Sequence, residues 1–481
     1  MEERRNRIRK PRDVGKYSDS GRNSGSSSRG TVKRSIAEDT QARPRSRAAE
    51  MRAKRLGETE PTPAVVEQLH PQKSLSEKWK DRFAERKAAA QLKKAEKGAK
   101  RRQNRDEAVI KSGYDFTMLF IIICLLGFGV MMLYSVTSYS DMMAGKNFWQ
   151  SSVFKQLILM GIGLFFMTAV SLIPVHFWDR FVIIFYVGSL ILCQVALRVG
   201  HSSHGSSRWL TILGVSVQPA EMLKISLIML LALMITNYGS KLKKWYNGAL
   251  LVALIGATAA SIMGSNLSSA LIIGAVGMLV LYAGTENHKI YRILFGLGII
   301  AILLVHKYPN ILSVILKPYQ MTRIYTWLNP FAYKEDEGYQ TVQSMYAIAS
   351  GGFTGKGLGQ SIQKLSALPE AQNDFIFGVI CEELGIFGAT ILIVLYLLLI
   401  WRMIIIAHYA KDSYGFLITA GATAHIGIQV AFNIGVATGI LPNTGIGLPF
   451  VSSGGSAVLI LLIEMGLVLS VSRESEIIVD D

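Results

Sequence analysis

Cysteine is scarce. The 481 residues hold three, Cys124, Cys193 and Cys381, each inside an apolar run. Thiols so placed act as small hydrophobic fillers, and no Cys/His spacing resembles a zinc site, so a disulfide framework and a protein metal centre both drop out. Acid is also sparse, with Asp+Glu 34 against Lys+Arg 51. In a soluble chain that imbalance would suggest nucleic acid. Here it is concentrated: residues 1–113 carry 31 basic and 16 acidic side chains, hence +15 of the formal +17. The remainder is nearly neutral and very apolar, which argues against nucleic acid as a partner and describes a basic tail on a membrane body. No apolar run precedes Asp115, so no cleavable signal peptide is expected.

Residues 1–72 are rich in Arg, Ser, Gly and Pro and cannot bury enough surface to fold, so a disordered tail is expected through residue 113. Within it, 74–105 changes to helix formers, with Leu75, Trp79 and Phe83 recurring every four residues. That pattern suits an interfacial helix on anionic lipid, where each basic residue gains about 1 kcal/mol, and equally a solvated linker. From 114 to 473 the chain reads as an all-α polytopic membrane domain, followed by a short cytoplasmic tail, 474–481. A crossing needs about 20 apolar residues. About ten transmembrane helices fit, near 116–137, 154–175, 180–198, 218–237, 247–264, 267–284, 290–308, 375–401, 414–437 and 451–471.

Basic residues in short loops set orientation. Lys241, Lys243 and Lys244, then Lys289 and Arg292, then Arg402 and Lys411 fall on one side with the tail if both termini are cytoplasmic. The large loop from about Lys307 to Asn373, between the seventh and eighth spans, is then extracytoplasmic. Connections that long usually carry function.

The loop ends in LPEAQNDFIFGVICEELG, Leu368 to Gly385. Asp374 stands at the mouth of an apolar run, where the proton affinity of a carboxylate is tunable. Glu382 and Glu383 lie roughly 12 Å further along the helix. An acid at Asp374 either does chemistry or caps the helix. In QPAEMLK, Glu221 and Lys224 are spaced i, i+3 and can neutralise each other, with Pro219 suited to a first turn. Arg208 beside Trp209 suits a phosphate and a sugar face, or a plain membrane anchor. Asn266 in GSNLSSA is placed to cap the next helix, and Glu464 is a buried acid in need of a partner. GILPNTGIGLPFVSSGG, Gly439 to Gly455, is irregular backbone that must be buried in protein or line a wet cavity. SGGFTGKGLG, Ser350 to Gly359, lacks a Walker arrangement and reads as a flexible substrate-clamping loop.

Together, RW and QPAE, the run GYQTVQSMYAIASGGFTGKGLGQSIQKLSALPEAQNDFIFGVICEELG, and NIGVATGILPNTGIGLPFVSSGGS resemble the SEDS family (shape, elongation, division and sporulation), the peptidoglycan glycosyltransferases of FtsW, RodA and SpoVE type. The PEA run before Asp374 and the long tail make it FtsW-like. The resemblance covers about Phe116 to Arg473. It implies an enzyme of about ten helices in the cytoplasmic membrane that polymerises lipid II on the outer face and releases polyprenyl pyrophosphate. The family's essential aspartate falls on Asp374 and its fourth-span Glu and Lys on Glu221 and Lys224. Substrate binding is carried over to these two and to Arg208, Trp209, Gln363, Lys364, Ser452 and Ser453. Four departures stand out. Gln372-Asn373 replaces His-Thr, Ser265-Asn266 replaces Pro-Asp, Ser453 replaces the Tyr of Ser-Tyr-Gly-Gly, and His204 replaces an Asn.

The implied reaction displaces pyrophosphate from an anomeric carbon by a sugar 4-hydroxyl. It asks for a general base, Asp374, and for positive charge at the leaving group, from Arg208, Lys364 or Lys224, with a divalent cation as an optional assistant. The implied partners are lipid II, a class B penicillin-binding protein and other divisome or elongasome membrane proteins. Two other classes stay open. A lipid II flippase would fit buried charges, but the chain shows no internal repeat and no matched pair of broken helices. A scaffold without chemistry is opposed by the retention of Asp374.

Overall fold

In lipid a backbone must satisfy its own hydrogen bonds, so each apolar run closes into a helix. The computed structural model describes Lys93, Ile110, Lys111 and residues 113–478, apart from 200, 204–205, 213–214, 240–241, 243–244, 265, 287, 309, 311–317, 367 and 476. Of the tail expected to be disordered through residue 113, Lys93, Ile110, Lys111 and Gly113 are described, and Ile110–Lys111 form a strand instead. The rest of the tail, and the helix expected at 74–105 apart from Lys93, lie outside the described residues. In order, the helices are α1 Phe116–Met143, α2 Ser152–Leu172, α3 Val182–Val199, α4 Pro219–Tyr238, α5 Trp245–Met263, α6 Leu267–Gly284 and α7 His288–Lys307. They continue with α8 Pro318–Leu328, α9 Tyr339–Gly351, α10 Gln363–Ser366, α11 Ile376–His408, α12 Ser413–Ala437 and α13 Ser456–Glu474. Among the described residues, 9 helices are long and apolar enough to cross a membrane. The remaining expected span is covered by α7, 20 residues long.

Several helix starts follow from side chains. Asp115 Oδ1 accepts from the Met118 amide (2.8 Å) and Asp412 Oδ1 from the Gly415 amide (2.7 Å). Asn266, as expected, caps α6 by accepting from the Ser269 amide (3.1 Å). Pro219 opens α4, where its missing N–H costs nothing. The interior is formed by α4 and α13, whose apolar windows are 78% buried, against 22% for the segment containing α3. α13 lies along α2, α11 along α12, and α4 against α3, α6 and α12.

The chain ends of this membrane body meet. Strand β1, Ile110–Lys111, pairs antiparallel with β5, Ile477–Ile478, so both lie at one end of the bundle. The opposite end holds features that the sequence reading did not contain. Residues 201–217 form an antiparallel ribbon, β2 His201–Ser203, β3 Ser206–Ile212 and β4 Val215–Val217. The long loop carries α8, α9 and α10. The last span begins at Ser456 instead of near 451, because Ser452 and Ser453 bond to another loop and Gly455 has φ 34.

α11 is broken at Gly385 (φ 66, ψ −167). The freed groups are re-paired by the loop after α9. Lys356 and Gly357 amides donate to the Glu382 and Glu383 carbonyls (both 2.9 Å), and Ile386 and Phe387 amides donate to Gly352 and Phe353 (3.0 and 3.2 Å). A Cβ on Gly385 would collide with Gly355 and Phe353 backbone atoms. Gly385→Ala should therefore lower stability by about 1–3 kcal/mol, since its backbone region is essentially closed to other residues. Gly256→Ala, in open space on α5, should be neutral. Thermal unfolding in detergent compares the two.

Candidate functional site

At the bundle end away from the β1–β5 pair lies a cavity of about 1420 Å³. Its walls come from separate elements. The first turns of α2 give Lys155 and Gln156, the ribbon gives Trp209, and α8 gives Arg323 and Trp327. The floor is the junction before α11, from Glu370 through Asp374, facing the Gly-rich loop with Ser452 and Ser453. Asp374 is half-buried on this floor.

Three consecutive carbonyls of the junction are held by outside donors. The Ser453 amide donates to the Gln372 carbonyl (2.8 Å) and the Ser452 hydroxyl to that of Asn373 (2.6 Å). Asn433 Nδ2, from α12, donates to the Asp374 carbonyl (2.9 Å) and to that of Ile446 (2.8 Å). Asn373 Nδ2 donates to the Glu370 carboxylate, while Glu370 itself sits at φ 56. The Gly-rich loop is thus half-buried in protein, with Ile440 exposed, and lines a cavity, a setting in which irregular backbone is tolerated.

The expected site residues divide into two groups. Asp374, Trp209, Ser452 and Ser453 reach the cavity. Arg208 lies on β3, and its side chain is outside the described residues. Glu221 and Lys224 pair at 2.7 Å, 8% and 1% exposed, and do not line the cavity; Lys224 also donates to Gln429 Oε1 (3.4 Å). Lys364 pairs with Glu383 at 2.6 Å and donates to the Ser135 hydroxyl (2.9 Å) and carbonyl (3.0 Å), with the pair 3% and 0% exposed. Beside it, Lys356 pairs with Glu382 at 2.6 Å, and the Gln363 amide donates to the same carboxylate (3.3 Å). Gln363, Lys364 and the 350–359 loop therefore staple the α11 break to α1. They lie off the cavity, because two adjacent buried carboxylates need two cations and a set of amides.

Sequence reasoning passed over Arg323 and Lys155 on the cavity wall, and Gln429 and Asn433 on α12. An Arg inside YQMTRIYTW in a long loop was a usable signal for Arg323; Asn433 opens the NIGVATG stretch that carries part of the resemblance, but nothing in that stretch pointed to a role for its side chain. Glu464 does find a partner, His425 Nδ1 at 2.8 Å.

These features define a polytopic helical membrane protein with a polar cavity at one end and buried ion pairs beneath and beside it. Residues 116–477 match the family model described as "Cell cycle protein", that of FtsW, RodA and SpoVE. The chain belongs to that family. It is 36% identical over 367 residues to the "Probable peptidoglycan glycosyltransferase FtsW" of Geobacter sp. (strain M18), covering 75% of this chain and 97% of that one. It is 33% identical over 374 residues to "Stage V sporulation protein E" of Bacillus subtilis (strain 168), covering 76% and 98%. Among solved structures it is similar to a chain from "Structural coordination of polymerization and crosslinking by a peptidoglycan synthase complex" (TM-score 0.63, 26% identity, 75% and 98% covered). The rod shape determining protein RodA of Thermus thermophilus shares the fold (TM-score 0.54, 23% identity, 76% and 98% covered).

Removing one member of a buried pair strands the other charge. Lys364→Met should cost about 3 kcal/mol of stability, and Lys364→Met with Glu383→Leu should recover most of that loss. A double-mutant cycle by thermal unfolding reads the coupling, and additive losses would contradict it.

Proposed function

We infer that this protein is a peptidoglycan glycosyltransferase that polymerises lipid II into glycan strands at the outer face of the cytoplasmic membrane during division or elongation. The observation that carries the reading is Asp374, half-buried on the floor of the cavity and set at the end of the bundle away from the β1–β5 pair. A cavity of that size fits a sugar pair with its pyrophosphate, and the relatives' names agree with the chemistry. Basic residues in the short loops at the β1–β5 end, such as Arg402 and Lys411, support a cytoplasmic position for that end and an outer one for the cavity.

Asp374 is the general base that takes the proton of the attacking 4-hydroxyl. Of the other cavity carboxylates, Glu370 is engaged by Asn373, and Asp336 and Glu337 lie in an exposed turn. Pyrophosphate is a good leaving group and calls for positive charge more than for an acid. Lys224 and Lys364 are neutralised by Glu221 and Glu383. That leaves Arg323 and Lys155 on the wall, with Arg208 on the ribbon, to bind the phosphates. Trp209 offers a face to a sugar ring, and Ser452 and Ser453 shape the floor.

A divalent cation, which would neutralise pyrophosphate oxygens, fits Asp374 together with the substrate's own phosphates. Among the described residues no three His, Cys, Asp or Glu side chains form a metal cage, and Mg²⁺ is commonly held by one or two carboxylates plus substrate phosphate. The partner enzyme is a class B penicillin-binding protein within the division or elongation machinery. This is supported by the likeness to a complex that coordinates polymerization and crosslinking.

Asp374→Asn keeps the shape and removes the base. Polymerisation of purified lipid II, followed as glycan chains on a gel, should fall by at least ~10²-fold with unfolding unchanged. Glycan synthesis at the wild-type rate would rule out the assignment.

A further inference from the structure

The carbonyl contacts beneath Asp374 carry an assignment beyond the base itself, resting on the reading of this site as a glycosyltransferase centre. We propose that Asn433 and Ser452 are positioning residues that fix the Asp374 carboxylate by clamping its own and the preceding main-chain carbonyls.

A helix start normally leaves N–H groups unpaired, while the carbonyls just before it point into the helix. Here the carbonyls of Gln372, Asn373 and Asp374 each receive a donor from a different part of the chain: the Ser453 amide, the Ser452 hydroxyl and Asn433 Nδ2. Asn433 is fully buried and uses one amide nitrogen to tie Asp374 to Ile446. Ser452 is equally double-ended, donating to Asn373 and accepting from the Leu448 amide (2.6 Å). Each side chain therefore joins the loop that carries Asp374 to the Gly-rich loop opposite, and neither bond involves the carboxylate that would meet substrate. For Ser452 this replaces substrate contact as its main work.

The clamp is anchored in the membrane interior. Gln429 lies one helical turn before Asn433 on the same face of α12 and donates to the Gly447 carbonyl (3.2 Å), next to the carbonyl held by Asn433. Gln429 Oε1 accepts from Lys224, itself paired with Glu221. The buried ion pair thereby acts on the site through Gln429 and the loop, without reaching the cavity. A base misplaced by an ångström loses about 10²-fold in rate, so a clamp on adjacent main chain is a direct lever on turnover.

The test uses the full-length protein in nanodiscs, with Asn433→Ala, Ser452→Ala and Ser452→Thr beside Asp374→Asn. Asn433→Ala and Ser452→Ala should lower kcat for lipid II polymerisation at least about tenfold with KM within about twofold, and Ser452→Thr, which keeps the hydroxyl, should recover most of it. Hydrogen exchange on the same samples should rise at the amides of residues 371–378 in the two Ala variants and not in Ser452→Thr. Wild-type kcat in the Ala variants while Asp374→Asn is dead would overturn the clamp and leave the glycosyltransferase reading standing. Unchanged exchange at 371–378 would overturn it without any turnover measurement. A wild-type protein that makes no glycan would count against the functional reading alone, with the exchange result still judging the clamp.

Discussion

Main chain that leaves its helix within a bilayer has no water to turn to, and each stranded N–H or C=O costs several kcal/mol unless the protein supplies a partner. Two such departures, the junction before α11 and the loop between α12 and α13, satisfy each other. Ser452, Ser453 and Asn433 bridge them, and Ser268 donates to the Thr444 carbonyl from the start of α6. A third departure, the Gly385 break, is answered by the loop after α9. The irregular segments are therefore tied to one another and to the helices around them by hydrogen bonds, and the cavity floor is part of that network.

Charge is handled in the same manner. Lys224 with Glu221, Lys364 with Glu383 and Lys356 with Glu382 pair buried carboxylates with cations, and Glu464 is hydrogen-bonded to His425. Such pairs contribute little net stability, because desolvation offsets their attraction, but they specify which helices meet. Lys224 and Lys364, expected near the leaving phosphates, are paired with Glu221 and Glu383 and do not line the cavity. The acids and bases left facing the cavity are those at its floor and wall, where a charged lipid-linked sugar would sit.

Much of the fold was legible because apolar runs of membrane length have one stable form. The runs beginning at Phe116, Leu267 and Ser413 became helices within a residue or two of the expected starts, and Asn266 caps as its position suggested. Asp374 was legible as an acid at a membrane mouth. What stayed hidden depends on contacts between distant segments. Nothing local says that Lys364 will meet Glu383 and Ser135, or that Asn433, one amide in an apolar span, will hold the main chain 59 residues earlier. The ribbon at 201–217 was also missed, since short Ser- and Val-bearing stretches between two spans carry no periodicity beyond that of a loop. The start of α13 moved from 451 to Ser456 for the same reason: Ser452 and Ser453 bond to the neighbouring loop instead of continuing a helix.

The account requires that the Asp374 carboxylate face the compartment of exported precursors. Glu337, exposed at the cavity rim, reports on that most directly as Glu337→Cys in a chain whose three native cysteines are replaced. A membrane-impermeant maleimide added to intact spheroplasts should label it fully, with no further gain on lysis. Labelling only after lysis would place the cavity in the cytoplasm and contradict the account.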